Sequence, residues 1–331
     1  MNKLLQIVKN NKALKDAAFK IIYLPGIGRV YRKIYKKRIN KRLADFKLSD
    51  LLVSIEPANV CNSKCVMCPY PKMTRPKEVM AMDLFKKVVD DCHGQGIRKF
   101  NLNFYNEPFL DPLIFERVRY LKSKGVHVKL FSNGSVLKEE MISKIFDSGL
   151  DEIDFSVDGS QKETYEKIRY GLNFEETIGN ILKLISARKM LNRDKPKINV
   201  AFVRQKANKN EIEDFKKFWS GKADKIIIAF DDNRNETSEF FDKKAKNPVS
   251  YPCRKLWTEV VVMSSGQAAL CCVDYDGSVA LGDFKNQTLR EIWNGEKFKK
   301  IRQAHLDFRS QEIPICKACV HSYRMNAKSW W

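Results

Sequence analysis

From Leu51 onward the chain alternates short apolar runs with amphipathic stretches, and this alternation restricts the fold more than any other feature. Leu51–Ile55, Phe100–Phe104, Val126–Phe131, Glu152–Val157, Ile198–Val203 and Lys225–Phe230 have the length and apolar content of buried strands. Helical patterns near 83–93, 112–124, 138–148, 161–190 and 209–219 separate them. Such repetition builds right-handed crossovers and a parallel sheet. The expected class is α/β, a partial (β/α)6 TIM-like barrel, because a closed barrel of this kind takes eight repeats. Chemistry in these folds gathers at the carboxyl ends of the strands.

Just past the first strand-like run, Cys61, Cys65 and Cys68 form a C-x3-C-x2-C triplet. One loop can thereby offer three thiolates to a four-iron cluster and leave its fourth iron without a protein ligand. Two other readings are a zinc site and scattered core thiols, although zinc loops more often pair one C-x2-C with a second. The triplet resembles that of the radical S-adenosylmethionine (SAM) enzymes, in which reductive cleavage of SAM at the open iron yields a 5′-deoxyadenosyl radical.

Other segments carry the same resemblance. Asn106-Glu107-Pro108 is similar to the family's G-G-E-P element, with Tyr105 and Asn106 in place of both glycines. Ser132-Asn133-Gly134 resembles its T-N-G turn, and Phe155-Ser156-Val157-Asp158-Gly159 its S-x-D-G motif. Met67 stands where the family usually has an aromatic residue. The resemblance implies SAM contacts from Met67, Asn106, Glu107 (to the ammonium), Ser132, Ser156 (to the ribose) and Arg169 (to the carboxylate). Asp158 is expected to shape its turn.

The C-terminal third adds a second constellation. Cys253, Gly266 and Cys271 fit the C-x9–15-G-x4-C opening of SPASM and twitch domains, and Thr288–Asn294 resembles the helix that follows. Cys316 and Cys319 supply a further C-x2-C pair, and no cysteine comes after them. The resemblance therefore implies a small twitch domain whose single auxiliary [4Fe-4S] cluster takes Cys253, Cys271, Cys316 and Cys319. A zinc site on the same four thiols is the alternative. Cys92 reads as a core thiol. Strand alternation would turn Cys272 away from Cys271, although it could replace that ligand or act as a functional thiol.

The formal net charge is +21, concentrated at the start of the chain. Residues 1–47 carry fourteen Lys and Arg against Asp16 and Asp45, a net of +12. Apolar residues recur there at helical spacing, broken at Pro25-Gly26, so a basic amphipathic extension is expected. An anionic membrane surface suits it, plain packing is the bland alternative, and nucleic acid is disfavoured without an accompanying motif. No signal peptide and no 18-residue uncharged apolar run is evident. The cysteines suit a reducing cytoplasm, with peripheral placement at the inner membrane face as an option. The expected organisation is an extension over 1–48, the barrel over 49–232, a linker or lid over 233–250, the auxiliary-cluster domain over 251–322 and a tail over 323–331.

The resemblance implies hydrogen abstraction from an unactivated substrate carbon, with a flavodoxin or ferredoxin as reductant. Oxidation of an alcohol on a sugar, cyclitol or lipid-linked glycan comes first, with the auxiliary cluster as electron acceptor. Epimerisation with a cysteine hydrogen donor (Cys272 or Cys92) and peptide modification are the alternatives. Arg204, Gln205, Asp231 and Asp232 follow strands five and six and are rim candidates, while Tyr70 and Tyr105 lie near the cluster in sequence.

Overall fold

The computed structural model describes residues 25–230, 252–317 and 319. Residues 1–24, the linker of 233–250, and with it Asp231 and Asp232, lie outside the described residues. The elements in chain order are α1 (Pro25–Ala44), β1 (Leu52–Ile55), α2 (Met82–Gly94), β2 (Lys99–Asn101), α3 (Ile114–Ser123), β3 (His127–Ser132), α4 (Glu139–Asp147) and β4 (Glu152–Ser156). There follow α5 (Lys162–Ile168), α6 (Phe174–Met190), β5 (Lys197–Arg204), α7 (Ile212–Trp219), β6 (Lys225–Phe230) and α8 (Lys255–Thr258). The last are β7 (Glu259–Val262), β8 (Gln267–Ala269), β9 (Gly282–Asp283), α9 (Leu289–Trp293), α10 (Glu296–Leu306) and α11 (Pro314–Lys317).

Strands β1 to β6 pair in sequence order, every pair parallel, with helices between them. This is the expected partial barrel. Helix α2 shows why such segments fold as they do: Phe85, Val88, Val89 and Cys92 repeat at helical spacing and are all buried. Cys92 is fully enclosed in that core, as a structural thiol would be.

The structure corrects three local expectations. The single helical pattern over 161–190 is two helices, interrupted where Gly171 takes a φ of 92° and Asn173 caps α6 through the Glu176 N–H. The second strand stops at Asn101, because 102–107 turn into the mouth of the barrel. Strand β8 stops at Ala269, so Cys271 and Cys272 stand in the following turn and strand alternation does not govern them.

The auxiliary segment is less separate than its sequence suggests. Strand β7 pairs parallel with β1, from Leu52 opposite Glu259 to Ile55 opposite Val262. Strands β8 and β9 then add antiparallel, giving one nine-stranded sheet. A hairpin at Ser264-Ser265-Gly266 joins β7 and β8. Helix α1 packs on the same unit: Tyr35 meets Phe308 with ring centroids 6.1 Å apart, and Lys36 Nζ lies 2.6 Å from Asp307.

Candidate active site

A cavity of about 310 Å3 opens at the carboxyl ends of the parallel strands. Cys61, Cys65 and Cys68 form one part of its wall. All six residues expected to contact SAM line it too: Met67, Asn106, Glu107, Ser132, Ser156 and Arg169. Tyr70 and Tyr105 complete that side.

The cysteine loop is held by backbone bonds to the α5–α6 connection. Lys64 N–H donates to Tyr170 O at 2.9 Å, and Val66 N–H to Ile168 O at 3.0 Å. Tyr70 Oη accepts from the Cys61 N–H at 2.9 Å, and Ser63 Oγ lies 2.9 Å from Cys65 Sγ. Asn133 Nδ2 donates to Asn62 Oδ1 at 2.9 Å, which ties the loop to the end of β3. These bonds preset the thiols before any ligand arrives.

Glu107 is buried, and its carboxylate gathers the end of β3. Ser132 Oγ donates to it at 2.8 Å, the Asn133 N–H at 2.7 Å and the Phe109 N–H at 3.3 Å. Burial nevertheless pushes its carboxyl up to about 7, against these bonds and the Arg169 charge. Gly134, at a φ of 76°, sits where a Cβ would come within 3.2 Å of Ile181 and Phe155. A side chain there would be strained and crowded, which explains the glycine of the turn.

Arg169 is already engaged. Its Nε donates to Asp158 Oδ2 at 2.7 Å and a terminal nitrogen stands 2.5 Å from the same oxygen. Its other terminal nitrogen lies 3.5 Å from Cys65 Sγ. Asp158 Oδ1 in turn accepts from the Val203 N–H at 2.6 Å, so Asp158 fastens the ends of β4 and β5 and aims the guanidinium at the thiols. Two buried polar atoms of the wall, Asn103 Oδ1 and Asn106 Nδ2, have no protein partner. Such atoms favour a polar ligand, since burying them unpaired costs about 1–3 kcal/mol each.

The other four expected ligands also come together. Burial and the nearby Cys319 push Cys253 up to about 12, and burial with neighbouring thiols raises Cys271 and Cys316 as well. Burial likewise pushes Cys61 up to about 12, with Cys65 and Cys68 adding to it. Thiols so placed hold their protons until iron takes over the sulfur. Among the described residues, no three Cys, His, Asp or Glu side chains converge tightly enough for a single ion.

The Radical SAM superfamily model matches residues 55–194, and the SPASM iron-sulfur cluster-binding domain model matches residues 253–320. The chain carries a radical SAM domain followed by a SPASM domain. It accordingly takes a SAM-binding [4Fe-4S] cluster and an auxiliary cluster.

Curated relatives are distant. The tungsten-containing aldehyde ferredoxin oxidoreductase cofactor-modifying protein of Pyrococcus furiosus is 27% identical over 50% of this chain and 46% of its own length. The AdoMet-dependent heme synthase of Methanosarcina barkeri is 29% identical over 39% of this chain and 38% of its own length. A probable GTP 3′,8-cyclase of Methanococcus maripaludis is 32% identical over 45% of this chain and 48% of its own length. The match thus spans less than half of each relative.

Solved structures extend the likeness in fold. BtrN in complex with AdoMet and 2-DOIA superposes with a TM-score of 0.56 at 16% identity, over 81% of this chain and 92% of that one. Streptococcus suis SuiB bound to precursor peptide SuiA gives 0.65 at 13% identity, over 87% and 74%. Native anSMEcpe with bound AdoMet gives 0.57 at 16% identity, over 76% and 82%.

Within this radical SAM–SPASM architecture, the two halves are joined by residues that the motifs do not flag. Glu56, fully buried just past β1, accepts from both terminal nitrogens of Arg75 at 2.8 and 2.9 Å. It also accepts from the Tyr105 and Ser264 N–H groups and from Ser264 Oγ, each at 3.2 Å. Arg75 Nε donates to Tyr275 O at 2.7 Å. Asp274 holds the turn that follows β8 by accepting from Leu270, Ser278 and Val279. His305 Nδ1, fully buried, accepts from the Cys253 N–H at 3.2 Å.

The rim candidates fare unevenly. Arg204 ends β5 but is absent from the cavity wall, where its neighbour Val203 stands. Gln205 is absent too, its N–H donating to Asn208 Oδ1 at 2.6 Å. Cys272 does not line the cavity either; its Sγ lies 3.0 Å from Lys255 Nζ. Tyr105 does line it, and its hydroxyl donates to the Cys272 carbonyl at 2.7 Å.

Proposed function

We propose that this protein oxidises an alcohol carbon of a sugar, cyclitol or lipid-linked glycan. Tyr105 carries the reading, since one side chain both lines the cavity and bonds the turn that bears Cys271. When bound, the first cluster and SAM supply a hydrogen-abstracting radical, and the auxiliary cluster supplies an acceptor for the second electron.

The chain's own residues do the rest. Cys61, Cys65 and Cys68 hold the first cluster, and the Arg169 guanidinium beside Cys65 offsets thiolate charge. Glu107 takes the SAM ammonium while Ser132 and the Asn133 N–H fix its orientation. Ser156 stands at the ribose. Asn103 and Asn106 present the acceptor and donor that lack protein partners. Phe104, Tyr105 and Phe131 exclude water from the space where a carbon radical must survive. The substrate carbon would give its hydrogen atom to the bound radical, and then its hydroxyl proton to bulk solvent and one electron to the auxiliary acceptor, which leaves the carbonyl.

The epimerase reading has less support, because neither Cys92 nor Cys272 lines the cavity. Peptide modification rests on fold likeness to SuiB alone. Turnover in D2O over a panel of cyclitols and hexoses tests the proposal. A product two hydrogens lighter without deuterium supports oxidation; an isomer carrying one deuterium at carbon refutes it.

A further inference from the structure

We propose that the outward face of α1 docks on an anionic phospholipid bilayer. The helix holds eight Lys and Arg and no Asp or Glu. Its inner edge is anchored, with Tyr35 and Ile39 buried and Lys36 paired to Asp307. At 100° per residue the opposite edge carries Val30, Ile34, Lys37 and Lys41, with Lys33 beside them. Val30 is 58% exposed and Ile34 47%, and all three lysines are exposed. Branched aliphatic side chains thus alternate with ammonium groups on a face turned away from the core.

A bilayer surface accommodates both kinds of side chain: headgroup phosphates meet the lysines, and the acyl boundary takes the aliphatics. Nucleic acid would meet the lysines alone, and single-strand sites usually interleave aromatic platforms, whereas Val30 and Ile34 offer none. A second copy of this face would be repelled by its own charge. Residues 1–47 carry a net +12, so the surrounding sequence reinforces the attraction. This surface is independent of the proposed oxidation.

Co-sedimentation of the full chain with vesicles of phosphatidylcholine mixed with phosphatidylglycerol, against pure phosphatidylcholine, tests the proposal. Binding to the mixed vesicles only is expected, weakening with salt. Each lysine near such a surface strengthens binding about fivefold, so Lys33→Gln/Lys37→Gln/Lys41→Gln should weaken it about 100-fold. Val30→Ser/Ile34→Ser should also weaken binding, and circular dichroism should show both variants folded, since the changed side chains are exposed. Three outcomes overturn the proposal: no vesicle binding, wild-type binding by both variants, or retention on single-stranded RNA with vesicles ignored.

Discussion

The Tyr105 hydroxyl donates to the Cys272 carbonyl at 2.7 Å, so the wall of the cavity beside Cys61, Cys65 and Cys68 and the turn that bears Cys271 share a hydrogen bond. Tyr105 stands where the family has its first glycine. What looks in sequence like a lost backbone element is in the fold a side chain reaching the other centre. Its ring also meets Tyr275 edge-on, with centroids 6.0 Å apart. Tyr105→Phe should leave SAM cleavage intact but lower oxidised product per 5′-deoxyadenosine by about fivefold, as loss of roughly 1 kcal/mol would. A potentiometric titration followed by electron paramagnetic resonance should show the auxiliary cluster shifted. An unchanged product ratio with an unchanged potential would deny the residue this role.

Glu56 and Arg75 form a buried bidentate pair within the barrel, and through it Ser264 and the Tyr275 carbonyl tie the SPASM unit to the barrel. Arg75→Ala strands a carboxylate that is fully enclosed, and should cost about 3–5 kcal/mol. Glu56→Gln/Arg75→Met removes both charges and should cost clearly less. Thermal unfolding of the two variants checks the order, and a milder single variant would contradict it.

Glu107 sets a pH dependence. Its folded-state carboxyl is pushed up to about 7 by burial, above the ordinary value of 4.5. Between these values the unfolded chain is ionised and the folded one protonated, so Glu107 weakens the ligand-free fold as pH rises through that window. An ammonium beside it favours the ionised form. SAM affinity should therefore rise with pH up to about 7 and then level off, by at most about tenfold per unit. Titrations by equilibrium dialysis should show this for wild type and a flatter curve for Glu107→Gln.

Cys92 and Cys272 should behave unlike the seven cysteines proposed as ligands. Cys92 is enclosed by the core of α2, and Cys272 faces Lys255. Cys92→Ser should lower stability by about 1–3 kcal/mol by burying a hydroxyl, with iron per chain unchanged. Cys272→Ser should also keep its iron, whereas Cys271→Ser should lose about four irons. Iron loss in Cys272→Ser would exchange the roles of these neighbours.

The cavity's floor was legible because its chemistry is local. The cysteine triplet, Glu107 with its proline, and the Ser132-Asn133-Gly134 turn are short motifs, each following a strand whose apolar run is plain. The links between halves were not. Glu56 meets Ser264 across more than two hundred residues, and nothing at either position marks the other. The parallel pairing of β1 with β7 is equally silent, because apolar runs do not state their neighbours. Arg169 was found, but its engagement with Asp158 was not, since the motif shows the residue and not its rotamer. Asn103 was missed because only the enclosure of its Oδ1 singles it out.

Iron and sulfide per chain after anaerobic reconstitution test the two-centre account most directly, in wild type and in Cys253→Ala/Cys316→Ala. Two four-iron clusters require about eight irons falling to about four, with 5′-deoxyadenosine still formed under dithionite by the variant. About four irons in both proteins would contradict the account and leave the proposed oxidation without its electron acceptor.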